Sequence, residues 1–331
     1  MTNTEDMSDL FGVLNINKAA GCTSRDVVNT IQKLVRPVKC GHAGTLDPMA
    51  TGVLLVCIGP ATRLTTLVQE SSKTYVSEFT LGLTSSTDDS TGMILSQAHP
   101  SFRLTVDEIQ RALSQMTGPI LQTPPAYSAV HVNGQRAYKL ARQGESFDLT
   151  PRIVQIHSIR VLSFEWPRLE LEIDCGSGTY IRSIARDLGT VLGCGGLMSR
   201  LERTRIGSFS VSKAVSVEDL TRDGIASLMC PAIDLVRDFE RYPCSDADLF
   251  ELRHGRVIRP PAKDADRCRT ARQRPVALIH EPSDSLLALA EWTSEHTLQP
   301  RTVFRPSWLD RTLRSTPSPP PDQTISEPSS H

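Results

Sequence analysis

Apolar and polar positions along this chain follow two different periods, and neither persists for long before the other takes over. Phe11 to Ile16 is a short apolar run closed by the turn-forming Lys18-Ala19-Ala20-Gly21, which predicts a strand. Thr23 or Ser24 can then cap a helix through Leu34, because Val27, Val28, Ile31 and Leu34 fall on one helical face. Gly52 and Gly59 bracket a continuous apolar run that reads as a buried strand. From Tyr75 to Leu81 the period is two, with Tyr75, Ser77, Phe79 and Leu81 on one face and Val76, Glu78 and Thr80 on the other. Leu104 to Met116 predicts an exposed amphipathic helix, started at Thr105 and ended by Gly118. Leu169, Leu171, Ile173 and Cys175 alternate against Glu170, Glu172 and Asp174 as a strand. Gly176-Ser177-Gly178 turns that strand into a helix carrying Ile181, Ile184, Ala185, Leu188 and Leu192.

The irregular mixture of strand and helix signals points to an α+β fold and away from a doubly wound sheet. Segment 119–152 reads as an excursion from this core. Thr123-Pro124-Pro125 breaks the pattern, Asn133-Gly134 predicts a hairpin, and Gly144 ends a helix from Arg136. Beyond residue 240 the pattern becomes that of a small module. Its expected parts are a helix over Ser245 to His254 and strands over Val276 to Ile279 and Leu286 to Trp292, around a Glu281-Pro282-Ser283-Asp284 turn. The expected organisation is a polar segment 1–10, a main domain 11–240, a module 241–310, and a Ser/Pro-rich tail 311–331 too poor in apolar residues to fold.

Composition changes this picture little. At 331 residues the chain can bury a substantial core, and 39% hydrophobic with 22% charged residues is a globular balance. The net charge of −1 means that any nucleic-acid contact must come from local clusters of Lys and Arg. Eight cysteines with no C-x-x-C pair read as reduced thiols without metal-ligand spacing. The acidic amino terminus does not resemble a targeting peptide, and no apolar run approaches the ~20 residues of a membrane span. A soluble, cytoplasmic protein is expected.

The candidate chemistry centres on Gly41-His42-Ala43-Gly44-Thr45-Leu46-Asp47-Pro48. Asp47 is an acid in a glycine-rich turn whose surroundings in sequence are cationic: Lys33, Arg36, Lys39 and Arg63. A surface that holds a polyanion excludes carboxylates, so one retained there points to reaction more than to binding. Pro48 keeps Asp47 out of the α region, and the strand behind it fixes the turn to the core. The plain structural alternative is an Asx-turn. Tyr75 could stack on a base or relay a proton, or be a core aromatic. Gly178-Thr179-Tyr180-Ile181-Arg182 opens a helix whose free N–H groups could hold a phosphate, or is a simple strand-to-helix junction. The excursion carries Arg136, Lys139, Arg142 and Arg152 among His131, Tyr127 and Tyr138, which suits an RNA-gripping loop or a solvated helix face. Arg203 and Arg205 add two further cations.

These motifs occur in one order: Lys18 to Ser24, Gly41 to Pro48, Lys73-Thr74-Tyr75, Pro124 to Ala129, Gly134 to Tyr138, and Gly178 to Arg182. The set, over residues 10–240, closely resembles the bacterial tRNA pseudouridine synthase B family, and the module loosely resembles that family's PUA-type RNA-binding domain. The resemblance implies the pseudouridine synthase fold: a mixed, mostly antiparallel central sheet flanked by helices, with a small β-rich module. It implies isomerisation of the T-loop uridine at tRNA position 55, with no cofactor, no metal, no membrane and no obligatory protein partner, by a monomer. Asp47 matches the catalytic aspartate, whether it attacks C1′, removes a C2′ proton or adds to C6. The target base is flipped out to reach it. Tyr75 matches the stacking tyrosine and Arg182 the arginine that pairs with the aspartate and a phosphate. His42 matches the residue that fills the space left by the base. Tyr180, Leu201, Lys18, Arg136, Lys139 and Arg142 match substrate-binding positions. Ala19 for proline, His131 for lysine, Ser85-Ser86 for Thr-Asp and Gly195-Gly196 for Ala-His depart from the pattern without touching Asp47, Tyr75 or Arg182.

Three rivals remain at this level. A tRNA-folding chaperone would use the same surface but has no need of the carboxylate. A guide-RNA enzyme of related fold would carry long basic extensions. A glycoside hydrolase needs a second carboxylate about the bond.

Overall fold

The computed structural model describes residues 7–99, 102–132, 134–261 and 275–304. The tail 311–331, Asn133, Cys268 and most of the segment 1–10 lie outside the described residues. The chain divides into two compact units between Leu235 and Val236, some residues before the expected boundary at 240, because Glu240 already belongs to a strand of the second sheet.

In the first unit, β1 (Gly12–Lys18), α1 (Ser24–Val35), β2 (Cys40–His42), β3 (Thr51–Ile58), α2 (Thr65–Glu70) and β4 (Lys73–Leu81) come first. The hairpin β5 (Leu83–Ser85) and β6 (Ile94–Ser96), helix α3 (Val106–Ser114) and β7 (Gly118–Gln122) follow. A small hairpin, β8 (His131–Val132) and β9 (Gln135–Arg136), leads into α4 (Ala137–Arg142). Then come β10 (Arg152–Glu165), β11 (Arg168–Cys175), α5 (Ile181–Val191), β12 (Gly196–Ile206), β13 (Phe209–Ser210) and β14 (Cys230–Pro231).

Ten of these strands form one sheet with the central order β14-β1-β3-β12-β4-β11-β10-β7, with β2 on β3 and β13 on β12. Neighbours pair antiparallel except at one seam, where β12 runs parallel to β3 with Thr51 opposite Glu202 and Gly52 opposite Arg203. Gly52 is required there. Its φ is +94°, and a Cβ would fall 2.3 Å from the Arg203 carbonyl oxygen. The sheet is mixed and mostly antiparallel, as the resemblance implies.

The core follows the two periods. Tyr75, Ser77, Phe79 and Leu81 are buried, while Val76, Glu78 and Thr80 are only partly so. Helix α1 buries Val27, Val28 and Ile31, and its last core contact is Val35 where Leu34 is expected, with Leu34 half-buried. Its amino end is a capping box in which the Thr23 hydroxyl accepts from Asp26 N and the Asp26 side chain accepts from Thr23 N. A second box, Thr105 with Glu108, starts α3 and satisfies the donors a helix leaves open.

The excursion is shorter than its sequence suggests. Residues 118–122 form an edge strand paired with β10, and Arg152 opens β10 opposite Gln122, so only 123–151 leaves the sheet. The small β8–β9 hairpin turns through Gly134 at φ +81°, and Gly144 at φ +72° follows the end of α4.

The second unit, taken by itself, has β15 (Glu240–Pro243), α6 (Asp246–Arg253), β16 (Val276–His280), β17 (Ser285–Trp292) and β18 (Leu298–Val303) in the order β15-β16-β17-β18. β15 and β18 are not signalled by the apolar pattern. Tyr242, Leu249, Leu252, Leu278 and Leu298 close its own core.

Candidate active site

The loop carrying Asp47 runs from β2 into the parallel seam at the start of β3. It is held from three directions. The Ser24 hydroxyl, at the start of α1, accepts from Leu46 N at 2.9 Å and donates to its carbonyl at 3.2 Å. The buried Lys18 ammonium donates to the carbonyls of Ala19, Cys22 and Pro48 at 2.9, 2.8 and 3.2 Å. The Arg203 guanidinium, wholly inside, donates to Val53 O at 2.7 Å, Gly44 O at 3.1 Å and Thr45 O at 3.5 Å. A reacting group held this way has little freedom to lose on meeting its substrate.

Asp47 does not cap its own turn. Among the described residues its carboxylate has one hydrogen-bonding partner, Arg182, the second residue of α5. Arg182 Nε lies 3.1 Å from Oδ2 and Nη2 3.3 Å from Oδ1. The remaining Arg182 donors are also spent: Nη1 on Thr87 O at 3.2 Å and Asp89 Oδ2 at 3.5 Å, Nη2 on Tyr127 O at 3.1 Å. Of its five N–H groups three make hydrogen bonds, to Asp47 Oδ1, Thr87 O and Tyr127 O, and the contacts to Asp47 Oδ2 and Asp89 Oδ2 are ion pairs. The Arg182 side chain is 7% exposed, so it turns chiefly toward protein partners.

Asp89 is a second carboxylate near the motif, but not a second reacting one. Its Oδ1 accepts from Thr87 Oγ1, Thr91 N and Thr91 Oγ1 at 2.7, 2.9 and 2.6 Å, and it is buried. It neutralises and orients Arg182.

These groups border a cavity of about 580 Å³. Asp47, Tyr75, Tyr180, Arg182 and Leu201 line it, as does Arg136 from the excursion. Tyr75 and Arg203 are register partners across β4 and β12, which sets the Arg203 charge near the Tyr75 phenol. Burial holds the Tyr75 phenol above its ordinary value, so it rests protonated and offers the cavity a ring face before a base. Burial also pushes the Asp47 carboxyl up. Arg182 and Lys18 pull it down, and Asp89 adds to the rise. One third of the Asp47 side chain remains exposed (33%), against 7% for Arg182, so the acid is the reachable member of the pair.

The cationic floor is closer-set than its sequence spacing suggests. Arg203 acts on Lys18, Lys73 and His42, all of whose pKa values are lowered first by burial and then in part by that charge. Lys73, at the head of β4, is brought to about 8.

Other expected site residues fall elsewhere. Lys18 is corrected from a substrate-binding side chain to a buried strut, because its ammonium is consumed by three carbonyls beneath the loop. His42 is half-buried at the end of β2 outside the cavity wall, with Nδ1 lacking a partner. Lys139 and Arg142 lie on the exposed face of α4, also outside the wall, and Arg142 sits 5.7 Å over the Tyr138 ring.

Sequence reasoning missed four residues or undervalued them. Arg203 stood out only as a surface cation, yet the period-two spacing from Leu201 places it inward. Gln122, buried, clamps the start of α5 by accepting from Tyr180 N at 2.8 Å and donating to Tyr180 O at 3.1 Å. Asp89 had no signal beyond its charge. Arg152 was one cation among several, but it lines the cavity and stacks 5.0 Å over the Tyr180 ring.

A pinned carboxylate, an arginine behind it and an aromatic beside it, at a seam in a mixed sheet, are the arrangement of an enzyme site built about one reactive acid. Family models agree with that class. Residues 32–181 match the TruB family pseudouridylate synthase N-terminal domain, and residues 182–226 match the tRNA pseudouridylate synthase B C-terminal domain. The chain is 35% identical over 306 residues to the tRNA pseudouridine synthase B of Syntrophomonas wolfei, covering 89% of this chain and 99% of that protein. It is 45% identical over 252 residues to the protein of the same name from Microcystis aeruginosa, covering 75% and 85%. Among solved structures it is similar to a chain of a Cbf5-Nop10-Gar1 complex, with a TM-score of 0.69 at 26% identity over 92% of this chain and 88% of that one. The chain belongs to the TruB family of pseudouridylate synthases.

Proposed function

We propose that this chain isomerises the T-loop uridine at position 55 of tRNA to pseudouridine, with Asp47 as its catalytic carboxylate. The N1–C1′ bond breaks, the uracil turns while held, and a C5–C1′ bond forms as the C5 proton leaves and N1 gains one, so atoms balance within the substrate. The reading rests on one observation: Asp47 is fixed at the cavity wall by Arg182, yet a third of it stays open to whatever enters. About 580 Å³ lies within the range of small-ligand sites and accommodates one everted nucleotide. Tyr75 supplies the stacking face and Leu201 an apolar wall, while Gln122 fixes the start of α5 and with it the Tyr180 side of the cavity. Arg136 at the cavity and Lys139 and Arg142 on α4 are placed to grip the T arm. The relatives are named for tRNA, and the family set lies within one chain, which supports action by a monomer without a protein partner, in the cytoplasm where tRNA resides. The module 241–310 is proposed to add RNA affinity.

A pure RNA chaperone would gain nothing from a buried Arg182 that holds the partly open Asp47 carboxylate at the cavity wall. Pseudouridine mapping on a tRNA transcript separates the two readings. Wild type is expected to mark position 55 and Asp47→Asn to leave it unmodified while binding tRNA normally. Equal yields from both proteins would refute the assignment.

A further inference from the structure

Arg182 is 7% exposed and already bonds Asp47, Thr87 O and Tyr127 O, so a phosphodiester that enters the cavity with its nucleotide meets more accessible cations there. Two are available on its wall: Arg136, on the small hairpin of the 123–151 excursion, and Arg152, where the chain rejoins the sheet. Arg136 lines the cavity, is exposed and has no hydrogen-bond or ion-pair partner among the described residues. Arg152 lines it too; its Nη2 donates to Gly178 O and its plane stacks on Tyr180, which fixes its direction, while its Nε has no partner.

A third group points the same way. Ser128 is 4% exposed, borders the same cavity, and its hydroxyl also lacks a partner. Five buried side-chain atoms among the described residues are unpartnered, and two of them, Arg152 Nε and Ser128 Oγ, belong to residues that line this one cavity. An orphaned buried donor costs roughly 1–3 kcal/mol in general, so two such atoms on residues of one cavity wall suit an acceptor that arrives with the ligand. Both orphans are donors and two cations accompany them, which matches an anion. The base edge, being neutral, does not require that charge.

We propose that Arg152, Arg136 and Ser128 form a phosphodiester subsite that holds the backbone of the everted nucleotide while Asp47 and Tyr75 address its sugar and base. This deepens the proposed function and rests on it. The subsite also explains why the excursion emerges between Gln122 and Arg152, which are register partners: one clamps α5 and the other holds the backbone.

The test uses the full chain and T-arm hairpins in which the phosphodiester on the 5′ or the 3′ side of the target uridine is replaced by an uncharged methylphosphonate. For wild type, one of the two replacements is expected to slow single-turnover pseudouridine formation by on the order of tenfold to a hundredfold. Arg152→Gln is expected to show a similar loss on native RNA and no further loss on that modified RNA. Arg136→Gln, an exposed side chain whose change leaves the core alone, is expected to show the same non-additivity, and it decides the matter if Arg152→Gln melts early. No penalty from either replacement in wild type, or an undiminished penalty in both variants, overturns the subsite. Failure of wild type to modify native RNA would instead overturn the function. Filter-retention affinities with Asp47→Asn report the phosphate effect independently of turnover.

Discussion

Asp47 and Arg182 set the character of the site at the scale of single residues. Burial raises the Asp47 pKa, so the reactive ionised form is lost at a higher pH than for an ordinary carboxylate. If ionised Asp47 is the working form, the single-turnover rate falls on acidification with its midpoint above the usual aspartate range. Asp89 is one cause of that rise, so Asp89→Asn is expected to move the acid limb to lower pH, and a limb that stays put would remove Asp47 from the titration. The sign for stability runs the other way from most acids. A raised folded pKa means this group favours folding below the unfolded value, and the benefit disappears as pH climbs through the folded one. Asp47→Asn is accordingly expected to melt no lower than wild type at neutral pH. Breaking the pair from the other side differs: Arg182→Met strands the buried Asp89 and the half-buried Asp47 and is expected to cost about 3 kcal/mol in denaturant titration.

Single elements matter by what they hold in place. The strand end at Lys18, the α1 amino terminus and the β12 strand each contribute one side chain that fixes the Asp47 loop. Lys18 acts through Pro48 without lining the cavity, so Lys18→Met is expected to lower kcat by on the order of tenfold to a hundredfold with KM for tRNA nearly unchanged. A rise in KM alone would restore the substrate-binding role that the resemblance implies. Gly52→Ala tests the seam itself. Positive φ and the 2.3 Å approach to Arg203 O leave no room for a methyl group, and a destabilisation of about 2 kcal/mol or more is expected by thermal unfolding.

For the whole molecule, a net charge of −1 is reconciled with RNA binding by segregation. Across the outer sheet face, acids are matched by arginines, as in Arg160–Glu172 and Arg205–Asp174, whereas Arg136 and Arg152 at the cavity face no carboxylate among the described ion pairs. tRNA affinity is therefore expected to fall linearly in log–log against salt, with a slope that shrinks by roughly one for each phosphate-contacting cation removed from Arg136, Lys139 or Arg142. A salt-independent affinity would mean that these cations do not meet the backbone.

Periodicity located α1, α3, α5, β1, β3, β4 and β11 but not the long strands β10 and β12; where it succeeded, local burial and capping set the element, as at the Thr23 and Thr105 helix starts, the Tyr75–Leu81 face and the Leu169–Cys175 face. It also marked Asp47, because a carboxylate in a glycine-rich turn among cations is unusual wherever it occurs. What pattern could not supply was pairing between distant segments. Arg203 lies 150 residues and more from the carbonyls it holds, Arg182 meets Asp47 across 135, and Lys18 reaches Pro48 across 30. Whether a cation faces solvent, RNA or a buried carbonyl depends on which strands become neighbours. That follows from the packing of a whole sheet about its parallel seam, a property that no local run of residues contains.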